Sequence, residues 1–207
     1  MWLIMARSRV CGRPRLPGLA VSDIWVNNAG RDGWKVPFHD SAGRLSTTIN
    51  TNLIGFADCN RVAIEHVQTR SGNDHRNMEG FGSNGAVASH NRSYGATKYA
   101  VRYFTKALVA ELAKTPIKVG YLSPGIVVTD LLVPGPEHRD KNWERSKKIL
   151  NILADTVETV TPFLVEGMLR ENGKNGAAVR WLTGSKIRSR FFMSLFRKRD
   201  VFGPLGY

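Results

Sequence analysis

Short apolar runs that stop at turn signals alternate along this chain with long amphipathic stretches, and that alternation limits the fold more than any other feature. Ile24-Trp25-Val26 reads as a buried strand closed by Asn27-Asn28-Ala29-Gly30. From Ser41 to Thr69, Leu45, Ile49, Leu53, Phe56, Ala63, Ile64 and Val67 recur at helical spacing, with one gap at Asn60. Residues 71–93 are rich in Gly, Asn and Ser and read as loop, with a poor strand signal near Asn77-Met78. Tyr94 to Ala113 is the clearest helix: Ala100, Val101, Phe104, Ala107, Leu108 and Leu112 mark one face, and Pro116 stops it. Ile117 to Leu122 is a strand ended by Pro124-Gly125. Strand–helix–strand–helix–strand predicts an α/β fold, a doubly wound parallel sheet with helices on both faces.

Further on, residues 134–148 read as a charged, Pro-containing connection. Leu153, Val157, Val160, Leu164 and Met168 suggest a helix that Pro162 kinks or splits. Ala177 to Leu182 reads as a last strand, followed by a basic–aromatic tail from Lys186 to Arg199. Residues 1–22 are punctuated by Gly12, Pro14, Pro17 and Gly18 and read as an irregular basic leader. They contain Arg and no acid, as a transit peptide does, but join directly to a strand.

The charge follows the same division. The 207-residue chain carries a formal +13, yet residues 1–22 supply +4 and residues 171–207 supply +6, leaving +3 for the body. A polyanion partner is therefore not required by the body, and no nucleic-acid module is evident. With 42% hydrophobic residues the chain can build a core. No apolar run reaches the roughly 18 residues of a membrane-spanning helix. Cys11 and Cys59 make neither a disulfide framework nor a zinc site. His39, His66, His75, His90 and His138 have no ligand-like grouping, so no metal site is expected and each reads as solvated or locally satisfied. Trp34 and the other tryptophans read as core or pocket wall.

The chemistry centres on Tyr94-Gly95-Ala96-Thr97-Lys98. Spacing of four places phenol and ammonium on one helix face. The cation favours phenolate, which makes Tyr94 a usable general acid or base. Other strings fall in order around it: Asn27-Asn28-Ala29-Gly30, Asn52-Leu53-Ile54-Gly55, Asn77-Met78-Glu79-Gly80-Phe81-Gly82-Ser83, and Ser123-Pro124-Gly125-Ile126-Val127-Val128-Thr129-Asp130. Together they resemble the short-chain dehydrogenase/reductase superfamily, a Rossmann-like fold, from about Asp23 to the C-terminus. The Asn77–Ser83 string, Ile152-Leu153-Ala154-Asp155 and Trp181-Leu182-Thr183-Gly184-Ser185-Lys186 are similar to the subgroup of chlorophyll(ide) b reductases and their bacterial relatives.

The resemblance implies roles. Tyr94 exchanges a proton with a carbonyl or alcohol oxygen, and Lys98 lowers its pKa and holds the nicotinamide ribose. Ser83 bonds the reacting oxygen, or else simply caps a loop. Asn52 supports a water relay to Lys98, or is satisfied locally. Asn28, Ala29 and Gly30 lie beside the adenosine side of the cofactor, Gly30 because no side chain intervenes; otherwise Gly30 is a turn glycine and Asn28 braces strands. Pro124 and Gly125 shape the loop beside the nicotinamide and Thr129 bonds the cofactor, unless they form a plain strand-ending turn.

The family's Thr-Gly-x-x-x-Gly-x-Gly turn is not in this sequence, and only 23 residues precede the first strand. The chain therefore reads as an N-terminally truncated domain: residues 23–207 are its C-terminal part, with a substrate region at 131–170 and a tail at 186–207. A misassigned gene start or splice is the favoured reason, ahead of a genuine truncated isoform or a degenerating copy. Gly-Asn-Asp-His-Arg at 72–76 departs from the apolar strand that the family has there, and charges in a central strand are costly. The expected activity is NAD(P)-dependent carbonyl/alcohol hydride transfer, with NADP preferred over NAD and a small carbonyl substrate such as a chlorophyll-like pigment. An inactive subunit that docks on a paralogue is the alternative. The resemblance implies a homo-oligomer through the helices at 43–70 and 94–113, and the tail either covers the core with its apolar residues and leaves its charges solvated or offers contact with an anionic membrane surface. The compartment is cytoplasmic for a bacterial origin and the chloroplast for a photosynthetic eukaryote.

Overall fold

The computed structural model describes residues 24–31, 42–69, 74–88, 91–136 and 139–207. The leader at 1–22, Trp34, His39, His90 and His138 lie outside them. Strand β1 is Ile24–Asn27. Helix α1, Ala42–Ile49, runs through a π-helical turn at Asn50–Ile54 into α2, Gly55–Thr69. Next come β2 at Asp74–Met78, α3 at Arg92–Glu111 and β3 at Lys118–Ser123. Helices α4 (Lys141–Leu153) and α5 (Val157–Arg170), strand β4 (Ala178–Arg180) and α6 (Gly184–Ser194) complete the order.

The strands form a four-stranded sheet in the order β1-β2-β3-β4. β1 pairs with β2 in parallel, Ile24 opposite Asp74, and β2 with β3 in parallel, Asp74 opposite Lys118. The parallel α/β expectation is thus met. The described residues divide into two compact units: the chain up to Leu122 with Glu171–Ala178, and Ser123–Arg170 with Val179–Tyr207.

In the first unit, Leu108, Ile117 and Val119 form an apolar cluster joined by Ile64, Phe104, Val109 and Leu112. Beside it lies a buried amide network. Asn27 donates to Asn77 (2.8 Å), and Asn77 donates to Asn60 (3.2 Å) and Thr105 (3.1 Å). Asn60, the gap in the apolar stripe, is therefore inward-facing and satisfied, and the network ties β1, β2, α2 and α3 together.

Strand β2 corrects the sequence reading. It begins at Asp74, four residues before Met78, and includes the charged triplet. Asp74 and Arg76 are fully buried and pair at 2.5 Å. Arg76 also donates to the carbonyls of Glu171 (2.7 Å) and Ala177 (3.3 Å). Its guanidinium crosses Gly120, where a β carbon would overlap Nη1 and lie 2.5 Å from the Ala177 oxygen. His75 is a second correction: it is 1% exposed, opposite Trp25 and Val119, and neither ring nitrogen has a hydrogen-bond partner among the described residues.

In the second unit, Val128, Val133, Trp143, Ala154 and Phe202 form the core, with Trp143 edge-on to Phe202 at 5.7 Å. Part of the expected connection at 134–148 is instead α4. Asp140 caps it, accepting from the N–H groups of Asn142 (3.0 Å) and Trp143 (2.8 Å). The helical break falls between Leu153 and Val157, and Pro162 lies within α5.

Candidate active site

Helix α3 turns one stripe inward: Tyr94, Thr97, Lys98, Val101, Thr105 and Leu108. Its later turns carry Val101, Thr105 and Leu108, and its first turns carry the reactive groups. Tyr94 is 7% and Lys98 6% exposed. The Lys98 ammonium donates to the Met78 carbonyl at the end of β2 (3.1 Å) and lies 5.7 Å from the Tyr94 ring centre. Spacing of four on a helix thus brings the two groups together as expected.

Gly80 lies directly against both side chains. A β carbon there would overlap the Tyr94 hydroxyl and lie 3.1 Å from Cε and 3.2 Å from Cδ of Lys98. Only glycine leaves room for both side chains against the backbone after β2.

Glu79 is 5% exposed, and its N–H donates to the Leu122 carbonyl (2.7 Å). Its carboxylate pairs with Arg102 (3.1 Å), one helical turn beyond Lys98. Burial pushes the Lys98 pKa down to about 8, and the Glu79 charge opposes that shift. Glu79, Gly80, Thr97 and Arg102 all sit within or beside the quoted strings, and sequence reasoning gave them no role. The i, i+4, i+8 spacing of Tyr94, Lys98 and Arg102 was the available signal.

Asn52, in the π-helical turn, is 2% exposed. It accepts from the Arg31 N–H (2.6 Å), and its amide donates to the Arg31 carbonyl (2.7 Å) and Thr97 Oγ1 (3.1 Å). It therefore fastens the loop after β1 to α3. Within that loop Asn28 is half-buried and Ala29 and Gly30 are exposed. A β carbon at Gly30 would sit 3.7 Å from Lys98 Nζ and 3.8 Å from Asn52 Oδ1, ordinary contact distances, so the loop lies beside the Lys98 ammonium. Strand bracing falls to Asn27 through Asn77.

Ser83 is 4% exposed; its Oγ accepts from the Gly80 N–H (2.9 Å), and its own N–H donates to the Gly80 carbonyl (3.1 Å). It holds the turn that presents Gly80 and retains a hydroxyl proton. Pro124, Gly125 and Thr129 belong to the second unit. There a β carbon at Gly125, whose φ is +73°, would lie 2.5 Å from Leu182 Cβ, and the Thr129 carbonyl accepts from Leu132 and Val133. Among the described residues no group of three or more His, Cys, Asp or Glu side chains could hold a metal.

The donor set fits a nicotinamide cofactor at one end: a buried ammonium, a phenol and an exposed glycine loop lie next to one another. The glycine-rich turn that would hold a pyrophosphate is not in this sequence.

A family model described as short chain dehydrogenase matches residues 19–140. The chain is 35% identical over 180 residues to chlorophyll(ide) b reductase NOL, chloroplastic, of Arabidopsis thaliana, covering 82% of this chain and 50% of that protein. It is 35% identical over 167 residues to probable chlorophyll(ide) b reductase NYC1, chloroplastic, of Oryza sativa subsp. japonica, covering 80% and 32%. The chain thus spans half or less of these relatives' lengths. Among solved structures, serine dehydrogenase from Escherichia coli aligns with a TM-score of 0.57 at 24% identity, covering 79% of this chain and 64% of that one. A 4-hydroxyisoleucine dehydrogenase complexed with NADH aligns with a TM-score of 0.59 at 23% identity, covering 76% and 65%. These likenesses establish the fold.

Proposed function

Because the chain belongs to the short chain dehydrogenase family, we propose that it carries the proton-transfer centre of an NAD(P)-dependent oxidoreductase acting on a carbonyl or alcohol. One observation carries the reading: the Tyr94 hydroxyl and the buried Lys98 side chain both lie directly against Gly80. A buried phenol beside an ammonium is a proton donor of adjustable strength, and the pairing matters only if a reacting oxygen comes to it.

In this reading Tyr94 gives its hydroxyl proton to a carbonyl oxygen, or takes one from an alcohol in reverse. Lys98 stays largely protonated below pH about 8 and stabilises the phenolate left behind. Tyr94, Lys98 and the Asn28–Gly30 loop would hold the nicotinamide cofactor, which supplies the hydride when bound. Asn52 keeps that loop in place. Ser83 holds the Gly80 turn and offers its hydroxyl proton. Pro124, Gly125 and Thr129 are assigned to the nicotinamide side by resemblance.

For substrate we adopt the formyl group of a chlorophyll-like pigment, since relatives named chlorophyll(ide) b reductase support it. NADP is preferred on the same ground, and an origin in a photosynthetic eukaryote would carry a chloroplast location with it. Exposed Leu45, Ile49, Tyr99 and Tyr103 support the expected pairing with a second copy.

The test is NADPH binding and turnover by the 207-residue chain. Quenching of NADPH fluorescence and pigment-dependent loss of NADPH absorbance are expected. Tyr94→Phe should keep binding and lose turnover by at least about a hundredfold. Turnover unchanged in Tyr94→Phe, or no cofactor binding by the wild type, would refute the reading for this chain.

A further inference from the structure

Helix α6 is amphipathic in the inverted sense. Its inward side is charged. Asp155, 4% exposed, accepts from Trp181 Nε1 (2.6 Å), Arg190 (2.7 Å) and Arg199 (2.8 Å). Arg190 also donates to the Leu153 carbonyl (2.7 Å) and Arg199 to that of Ile152 (2.6 Å), while Lys186 stacks over the Trp181 ring. This clamp fixes the rotation of the helix about its axis.

Its outward side is apolar. Phe191, Phe192, Met193, Leu195 and Phe196 expose 43%, 62%, 51%, 77% and 74% of their surfaces. Arg188, Phe191, Phe192, Leu195 and Phe196 follow the spacing of one helical face. Phe192 and Phe196 meet edge-on at 5.3 Å. Arg188, Arg197 and Lys198 are exposed around them, and no acidic residue occurs from Lys186 to Arg199. A hollow of about 600 Å³ beside the helix is lined in part by Arg190, Arg197, Lys198 and Arg199, with Asp155 and Asp200.

We propose that α6 and the residues directly after it form a platform that docks on the surface of an anionic lipid bilayer. An apolar patch this concentrated is rarely left in water. The exposed charges on the segment itself, Arg188, Arg197 and Lys198, are all basic, which matches the negative potential of anionic lipid. Aromatic and leucine side chains on one face with bases beside them are the make-up of a helix lying in the headgroup region. No helix among the described residues is long and apolar enough to cross a membrane, so the contact is with the surface.

The full chain should pellet with phosphatidylcholine vesicles containing about 30% phosphatidylglycerol and much less with phosphatidylcholine alone. Phe192→Ser with Phe196→Ser should weaken binding at least about tenfold. Arg197→Glu with Lys198→Glu, on exposed side chains outside the Asp155 clamp, should weaken it about 25-fold or more. Circular dichroism checks that each variant is folded, and the charge pair tests the proposal if the phenylalanine pair is not. Equal wild-type binding to both vesicles, or binding unchanged by the charge pair, overturns it. So does wild type that ignores vesicles but dimerises in lipid-free buffer through Phe192 and Phe196, which would make a second copy the occupant.

Discussion

Lowering the pH from 7 to 4 should cost this fold about 3 kcal/mol through His75 alone. The imidazole is 1% exposed, sits between Trp25 and Val119, and has no hydrogen-bond partner among the described residues. Burial lowers its pKa from 6.5 to about 4. Between those values the unfolded chain takes up a proton that the folded chain refuses. Stability from this site is therefore full near pH 7 and is lost as pH falls. Each unit of displacement is worth about 1.36 kcal/mol, so the loss is about 2 kcal/mol at pH 5 and approaches about 3.4 kcal/mol well below pH 4. Asp74 works in the opposite direction: burial raises its carboxyl pKa against the pull of Arg76, so the folded chain holds that proton longer. His75→Leu separates the two. Urea unfolding of both proteins at pH 7, 5 and 4 gives a stability difference from which Asp74 cancels. The wild type should fall behind the variant by about 2 kcal/mol more at pH 5 than at pH 7. At pH 7 the variant should be at least as stable, because two unpartnered ring nitrogens leave the core. A stability difference independent of pH would show that His75 is hydrated or partnered, and would refute the reasoning.

Gly80→Ala should displace Tyr94 or Lys98 and destabilise the first unit by about 1–3 kcal/mol, read by thermal unfolding; an unshifted melting temperature would contradict the close approach at Gly80. Glu79→Gln should lower the Lys98 pKa further below about 8, since the Glu79 charge raises it, whereas Arg102→Met should raise it. Competitive amine labelling against pH, read by mass spectrometry, measures both without any turnover. Asp155→Asn leaves Arg190 and Arg199 without their shared anion and should destabilise the chain by about 3–5 kcal/mol in urea unfolding.

Local pattern revealed the elements whose stabilising contacts are local. α3 was legible because its apolar stripe and stop signal lie within its own residues, and that same stripe carries Tyr94 and Lys98. β2 was not legible as far back as Asp74. Its inward side chains are Asp, His, Arg and Asn, and what makes Arg76 tolerable is a carbonyl at Glu171, 95 residues away. No window along the chain contains that partner. α4 was masked by its charge: one buried residue, Trp143, anchors it, and Asp140 starts it. At the site, residue type and spacing pointed to Tyr94 and Lys98 and the family resemblance to Asn52, but neither showed what Asn52 grips. Its partner is the backbone of Arg31, which carries no side-chain signal. Gly80 was passed over because a missing side chain is informative only once its neighbours are known.

The crossing of Arg76 over Gly120 bears on which sequences are reachable from this one. A side chain at position 120 would strike the guanidinium, and a shorter residue at position 76 would leave Asp74 buried without its counter-charge. Single changes at 74, 76 or 120 are therefore each disfavoured, while a joint replacement by apolar residues of matching total volume would restore an ordinary strand interior. The three positions behave as one heritable character. A path back to an apolar β2 passes through a weakened intermediate unless they change together.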